Sequence, residues 1–485
     1  MRLRERVLQA RLEHLGQHGA ERGNGEQAGR ARDRVVDARG DAGQAGPALA
    51  VRLAGHGWKT ALVERGELGG TCVNNGCTPT KTLVASARAA WVARHAADFG
   101  VTIPGPVAID YAAVRRRMTD VVQASRDSLA HWFENTANLH VIHGEARFTG
   151  PGSMQVGEQA LRSPRIFLNT GARPIVPGWI AASGVPYLTS ESLMALEELP
   201  ARLVILGAGY IALEYAQVYA RFGCEVTVIE HGPRLLPRED DEAAQVIRSV
   251  LERDGVRLRF GADATALEPD GAGIALTVDG RRLAGSHLLV AIGRQPNTEA
   301  LDLARAGVTC DARGHVRVDD QLRTDVPGIW ALGDVNGRGA FTHTSYNDHE
   351  IVVANLLDGD ARRVADRVPA YALYTDPPLA RIGMARAEAK ASGRRVLVGH
   401  LPMARVGRAR ERGETDGYIE ALVDADSRRL LGATLVGIEA DEAIHGLLDV
   451  MSAGLPYTAI SRTMHIHPTV SELIPTMLQS LKPLE

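Results

Sequence analysis

Two cysteines stand five residues apart in the segment Gly69-Gly70-Thr71-Cys72-Val73-Asn74-Asn75-Gly76-Cys77-Thr78-Pro79-Thr80-Lys81. In a regular α-helix that spacing puts them about 140° apart around the axis and roughly 8–9 Å apart at Cα. A disulfide needs Cα atoms within about 7 Å. The pair can bond only across an irregular turn, and Asn75-Gly76 supplies residues that tolerate one. Pro79 suits the first position of a helix, and the alanine-rich run Lys81 to Phe99 continues it. Cys77 then sits at a helix N-terminus, where the dipole lowers a thiol pKa. Lys81, one turn further in, adds positive charge. These features suit a labile redox disulfide. The alternatives are two unpaired core cysteines, or a zinc half-site, which prefers two to four intervening residues and further ligands nearby. The other two cysteines, Cys224 and Cys310, are isolated.

A second cluster lies near the C-terminal end, Met464-His465-Ile466-His467-Pro468-Thr469-Val470-Ser471-Glu472. Pro468 restrains His467 to an extended backbone. Residues 469–478 read as a helix with Glu472 in its first turn. A carboxylate that close can hold one imidazole nitrogen and raise the basicity of the other. His-x-His as two metal ligands, or as two surface histidines, are the competing readings, and no third ligand is evident.

Stepping outward from these residues, the elements that must carry them repeat. A strand from Val35 to Ala38 leads into Gly40-Asp41-Ala42-Gly43-Gln44-Ala45-Gly46, a helix over Pro47 to Ala54, and a strand Thr60 to Glu64. The pattern returns as the strand Leu203 to Leu206, then Gly207-Ala208-Gly209-Tyr210-Ile211-Ala212, a helix to Phe222, and the strand Val226 to Ile229 ending in Glu230. Strand, glycine turn, helix and a second strand closed by an acid make up a dinucleotide-binding unit. Two such units in one chain predict two bound nucleotides, most economically a flavin and a nicotinamide dinucleotide. From about Pro369 the chain turns into a mixed α+β stretch, with strands near 396–398, 417–423 and 432–436.

The 485 residues exceed what one core usually fills, so several domains are expected. No apolar run is long enough to span a bilayer, and a net charge of −3 gives no footprint for nucleic acid. Four cysteines in a chain of this length are no disulfide scaffold, and the expected setting is a reducing cytoplasm. Residues 1–33 carry neither an apolar period nor the apolar centre of a signal peptide, and read as a disordered or loosely helical tail.

Taken together, these motifs resemble the class I pyridine nucleotide–disulfide oxidoreductases, which include dihydrolipoamide dehydrogenase, glutathione reductase and mercuric reductase. The resemblance runs from about Val35 to Leu478. It rests on the Gly-Gly-Thr-Cys-x4-Cys-x-Pro-x-Lys segment, Gly-x-Gly-Tyr-Ile-x-x-Glu, Thr170-Gly171-Ala172, Leu332-Gly333-Asp334, Thr375-Asp376-Pro377 and His-Pro-Thr-x-x-Glu. It implies an α/β fold with two Rossmann-like domains followed by an α+β dimerisation domain. The implied division is 34–177 and 291–365 for FAD, 178–290 for NAD(P), and 366–485 for dimerisation. It implies that Cys72 meets the substrate, that Cys77 faces the flavin as a thiolate, and that Lys81 and Glu214 pair beside the flavin. His467 and Glu472 would form an acid–base dyad completing the partner's site, which makes the protein a homodimer. FAD contacts would fall on Gly43, Gly46, Glu64, Gly70, Thr71, Lys81, Thr170, Gly171, Gly333 and Asp334. Glu64 would hold the adenosine ribose and Asp334 the ribityl chain. Nicotinamide-nucleotide contacts would fall on Gly207, Gly209, Tyr210, Glu230 and Gly293, with Tyr210 covering the nicotinamide pocket.

The implied activity is an FAD-dependent, NAD(P)H-linked exchange with a small or protein-bound thiol/disulfide. Glu230 accepts from a ribose 2′-hydroxyl and repels a 2′-phosphate, which favours NAD(H) over NADP(H). The helix Thr80 to Ala87 looks closest to the mercuric-reductase-like branch. Hg(II) reduction is therefore the alternative, although the tail lacks that branch's cysteine pair and the His-Pro dyad is unusual for it. Asp41 stands where the family has glycine and would face the FAD pyrophosphate. If it blocks FAD, the chain would be a non-catalytic protein of the same fold.

Overall fold

The computed structural model describes residues 34–38, by backbone, and residues 43–484. The tail 1–33 and Asp41 lie outside the described residues.

A five-stranded parallel sheet comes first. It is built from β1 (Arg34–Ala38), β2 (Lys59–Glu64), β3 (Leu139–His143), β4 (Arg165–Leu168) and, far along the chain, β9 (Ile329–Ala331), in the order β9-β4-β1-β2-β3. β1 is central despite carrying Asp37: residues 34–37 pair with Lys59 to Leu62, and 35–38 with Arg165 to Leu168. Helix α1 (Ala45–Gly55) follows β1 and buries Leu49, Leu53 and Ala54 completely or nearly so. Helices α2 (Gly70–Asn74), α3 (Cys77–Arg94) and α4 (Tyr111–Glu134) form the connection from β2 to β3.

A second parallel sheet, ordered β7-β6-β5-β8, uses β5 (Arg202–Leu206), β6 (Glu225–Glu230), β7 (Arg257–Phe260) and β8 (His287–Val290). Between β5 and β6 runs α5 (Tyr210–Phe222), which is buried along most of its length. Helix α6 (Asp241–Arg253) joins β6 to β7. After β9 comes α7 (Thr342–Leu357), and then an antiparallel six-stranded sheet. Its strands β10 (Ala370–Leu373), β11 (Leu379–Gly383), β12 (Val396–Pro402), β13 (Tyr418–Asp424), β14 (Leu430–Val436) and β15 (Lys482–Pro483) lie in the order β10-β11-β14-β13-β12-β15. The two parallel sheets and the antiparallel one are the α/β plus α+β architecture that the sequence predicts.

Two helices are bounded elsewhere than predicted. α3 begins at Cys77, so Pro79 is its third residue. The first four N–H groups of a helix have no partner within it, so a proline there removes no bond. α3 stops at Arg94, and a 3₁₀ turn takes over at Ala96–Phe99. Near the C-terminal end the predicted helix is two pieces, a 3₁₀ turn at Val470–Leu473 and α8 (Ile474–Leu478), with Pro475 at the start of the second.

What binds the sheets around α3 and α5 is charge as well as apolar packing. Arg221 of α5, 5% exposed, donates to Asp254 (2.7 Å) and pairs with Asp376. Arg88 of α3 reaches the same Asp376 at 3.0 Å. Gln217 takes the backbone N–H of Asp376 at 2.7 Å and donates to its carbonyl at 2.8 Å. The Thr375-Asp376-Pro377 segment is thereby pinned to α5. Removing one partner of a buried pair strands the other charge. Arg221→Met is expected to cost ~3 kcal/mol and to lower the thermal midpoint by several degrees. An unchanged midpoint would show that water already solvates this network.

Candidate active site

The two cysteines lie at the junction of α2 and α3. Cys72 is inside α2, and Cys77 opens α3. Between them Asn75 (φ −148°) and Gly76 (φ −118°, ψ −118°) leave the helical region. This is the irregular turn that the spacing demanded. Gly76 is required there because a Cβ would stand 2.6 Å from the Thr71 carbonyl oxygen. The Asn74 side chain donates to the Glu67 and Leu68 carbonyls and accepts from Arg126 at 2.6 Å, which fixes the turn against α4.

Both cysteines are free thiols. Their mutual interaction splits their acidities. It pulls Cys77 down to about 6, helped by the Thr342 hydroxyl and the Lys81 charge against the opposing effects of burial and Glu214. It pushes Cys72 strongly up, and burial adds to the rise. Cys224, by contrast, is held up near 12 by burial alone as the leading cause, and is no thiolate at neutral pH.

Lys81 donates to Glu214 of α5 at 2.6 Å. The carboxylate is 4% exposed and its other oxygen accepts from the Tyr374 N–H at 2.9 Å. Lys81 also lies 4.6 Å from the centre of the Tyr374 ring. Immediately beside this pair, Thr80 and Tyr215 share a buried hydroxyl–hydroxyl bond of 2.9 Å. α3 and α5 are thus joined by consecutive polar contacts directly behind Cys77. Thr342, the first residue of α7, places its hydroxyl 3.2 Å from the Cys77 sulfur. Sequence reasoning missed it, since 265 residues separate the two.

The residues expected at the flavin converge around the carboxyl ends of the first sheet. Glu64 ends β2, is 1% exposed and accepts from the Gly66 N–H at 2.7 Å. A cavity of about 440 Å³ opens beside it, lined in part by Glu64, Gly70, Asn75 and Arg126. Asn169, which sequence reasoning did not single out, ties the site together. It accepts from the Gly46 N–H at 3.0 Å and donates to the Leu332 carbonyl at 2.8 Å. Gly333 has φ +73°, and a Cβ there would meet the Ser345 hydroxyl at 2.7 Å. Its N–H donates to buried Asp348. Arg294 lies 3.9 Å from Asp334, 3.5 Å from the Thr71 hydroxyl, and donates to the Ala172 carbonyl. Burial pushes Asp334 up while Arg294 opposes it. The Thr170 hydroxyl is buried with no hydrogen-bond partner among the described residues. An orphaned hydroxyl, glycine-only close approaches and a cavity beside the buried acid that ends β2 fit a bound dinucleotide.

At the second glycine turn, Gly207 has φ +100° and its Cβ would stand 2.5 Å from the Ala291 carbonyl. Glu230 accepts from the Ala208 and Gly232 N–H groups, both at 2.7 Å. Gly209 precedes α5 as its N-cap, Tyr210 is the first helical residue, and Gly293 lies in the turn after β8 with φ +144°. Gly43 precedes α1, and Gly171 carries φ +62° beside Thr170.

The expected contact between His467 and Glu472 is present, apart from the thiols. His467 Nδ1 is 2.7 Å from Glu472, and within the chain no hydrogen bond joins His467 to either cysteine. The imidazole is 79% exposed while Glu472 is 10% exposed. A carboxylate can only accept, so in the neutral ring Nδ1 carries the proton toward Glu472 and Nε2 is left to accept one.

Two nucleotide cradles, a polarised dithiol and an α+β domain bearing an exposed His–Glu pair define a flavin-dependent disulfide oxidoreductase. Family comparisons agree. Residues 42–348 match the pyridine nucleotide-disulphide oxidoreductase model and residues 369–478 match the dimerisation domain of the same family. The chain belongs to the pyridine nucleotide–disulfide oxidoreductases. It is 37% identical over 451 residues to the probable pyridine nucleotide-disulfide oxidoreductase RclA of Escherichia coli, covering 91% of this chain and 98% of that one. It is 35% identical to dihydrolipoyl dehydrogenase 2 of Haloarcula marismortui, covering 89% and 93%. The Cu(II) complex of the HOCl-induced flavoprotein disulfide reductase RclA superposes with a TM-score of 0.83 at 36% identity, covering 92% of this chain and 99% of that one. The protein is an FAD-containing enzyme that uses a pyridine nucleotide, and no helix among the described residues is long and apolar enough to cross a membrane.

The Thr342 contact can be isolated. A neutral donor to a thiolate contributes on the order of 1–2 kcal/mol, which is about one pKa unit. Thr342→Val is expected to raise the Cys77 pKa by ~1 unit, and Thr342→Ser to leave it near 6, followed by the pH dependence of thiolate absorbance in the reduced enzyme. Equal values for threonine and valine would show that the hydroxyl does not reach the thiolate.

Proposed function

We propose that this enzyme transfers electrons between NAD(H) and a thiol/disulfide substrate through the Cys72–Cys77 pair. The carrying observation is the asymmetry of that pair: Cys77 is held low beside Thr342 and Lys81, and Cys72 is held high. Bound FAD would supply the two-electron relay between the nicotinamide and the dithiol. Gly43, Gly46, Glu64, Gly70, Thr71, Lys81, Thr170, Gly171, Gly333 and Asp334 would hold it, with the Lys81–Glu214 pair keeping a fixed charge beside the reactive ring. Gly207, Gly209, Tyr210, Glu230 and Gly293 would hold the pyridine nucleotide.

Cys72 is the exchange thiol and Cys77 the stabilised thiolate. Cys72, deprotonated by a base, attacks a substrate disulfide, and one substrate thiol leaves. Cys77 then attacks Cys72, the second substrate thiol leaves, and the Cys72–Cys77 disulfide forms. The base is His467 of the partner subunit, with its free Nε2. The supporting observations are the matching dimerisation domain, the 79% exposed imidazole, and its neighbours Met464 and Ile466, exposed at 94% and 78%.

Glu230 supports NAD(H). Its carboxylate braces the glycine turn at the strand end where a ribose would lie, and a 2′-phosphate there would meet negative charge. The second reading, reduction of a soft metal ion such as Hg(II), is favoured by two adjacent thiols that could ligate it together. The relative's structure as a Cu(II) complex adds Cu(II) to the ions worth testing.

Anaerobic two-electron reduction should give a long-wavelength thiolate–flavin absorbance, and Cys77→Ala should abolish it. Retention of the band in that variant would refute the assignment of the two sulfurs. In steady state, dihydrolipoamide should be turned over in preference to Hg(II) or Cu(II) under excess thiol, with a lower KM for NADH than for NADPH. The reverse preferences would favour the metal-ion reading and NADP(H).

A further inference from the structure

Three aromatic rings from distant parts of the chain meet next to the thiol site. Tyr210 opens α5, Phe341 immediately precedes α7, and Tyr371 lies in β10. Tyr210 and Phe341 have ring centres 5.5 Å apart at 36°. Phe341 and Tyr371 lie 5.6 Å apart and parallel to within 1°. His343 also stacks on Phe341, at 5.4 Å and 11°. Phe341 is continuous with Thr342, whose hydroxyl touches Cys77.

The rings differ in how they are held. Tyr371 donates its hydroxyl to Glu239 at 2.6 Å, and Glu239, 7% exposed, pairs with Arg381 at 3.0 Å. His343 places Nε2 2.6 Å from the Ala370 carbonyl, which can only accept, so that nitrogen carries the proton. Burial draws the His343 pKa down, which keeps the ring neutral and stacked. Phe341 is therefore clamped by two anchored rings. The Tyr210 hydroxyl makes no hydrogen bond among the described residues, and its ring rests on Phe341. The arrangement is a fixed aromatic stack with one releasable member.

We propose that Phe341, clamped between His343 and Tyr371, is a positioning residue that holds Tyr210 closed over the nicotinamide pocket and so sets how readily the pyridine nucleotide enters. This rests on the proposed placement of the pyridine nucleotide at Tyr210, whose role as cover of that pocket the family resemblance implies. A nucleotide that must displace Tyr210 binds with an affinity reduced by the fraction of time the ring is open. Losing one aromatic pair changes that fraction by about 3- to 10-fold. The sign is distinctive: removing a ring from a binding pocket weakens binding, whereas removing this brace strengthens it.

The test uses flavin-loaded enzyme and steady-state kinetics with NADH. Phe341→Leu is expected to lower the KM for NADH about 3- to 10-fold while kcat stays within about twofold. Tyr371→Phe, which cuts only the anchor to Glu239, should lower KM about 2-fold. Phe341→Tyr, which keeps the ring, should return KM to near the wild-type value. A KM unchanged or raised in flavin-replete Phe341→Leu overturns the proposal. If that variant loses flavin, Tyr371→Phe decides: a lower KM supports the brace and an unchanged KM overturns it. Chemical reduction of the wild type, which needs no nucleotide, separates the two readings. Absence of the long-wavelength band there places the failure in the dithiol assignment, whereas a normal band with an unmoved KM places it in the brace.

Discussion

The Lys81–Glu214 pair is the contact on which the site depends. A carboxylate 4% exposed in the middle of α5 must be matched by positive charge. Among the described residues, the element that brings a cation to it is α3, one turn after Cys77. The pairing therefore fixes the rotation of α3 about its axis, and with it the direction in which its first residue presents sulfur. The other Glu214 oxygen holds the Tyr374 N–H, so the same side chain also positions the loop leaving β10. One buried charge orients three segments that have no sequence proximity.

Around that pair the structure uses side-chain amides and acids as rivets between strand ends. Asn169 joins the start of α1 to the segment after β9. Gln217 joins α5 to the backbone of Asp376 in both directions. Asp348 receives Gly333 and Asn336 and pairs with Arg367. Each rivet occupies hydrogen-bonding groups that sharp loop backbones would otherwise leave buried and unsatisfied. The glycines could not have achieved this alone: they permit the close approaches, and the amides and acids make them favourable.

The local parts of this design were legible in the sequence because they are written within a few residues. The second glycine turn, the irregular Asn75-Gly76 link, and the reach of Glu472 to His467 all follow from short spacings. The strand β1 was legible in spite of Asp37, because pairing on both sides outweighs one polar residue. Thr342, Asn169 and Phe341 were not legible. A threonine, an asparagine and a phenylalanine carry no pattern of their own, and their roles arise only when segments more than a hundred residues apart are brought together. Helix ends were misplaced for a related reason: Pro79 marks a helix start only loosely, because any of the first positions tolerates it.

The turn at Gly76 has a kinetic meaning. Its backbone packs so closely onto Thr71 that even a methyl group would collide, at 2.6 Å, which keeps the segment between the sulfurs compact. Tethered reactants of this kind behave as though each were present at an effective molarity far above any dissolved thiol, roughly 10⁵ M or more where alignment is good. Under the proposed function, a mixed disulfide formed on Cys72 would be resolved by its own neighbour before a free thiol from solution could intercept it. The fidelity of the exchange would then be set by the short segment between the sulfurs rather than by the concentration of any competing thiol.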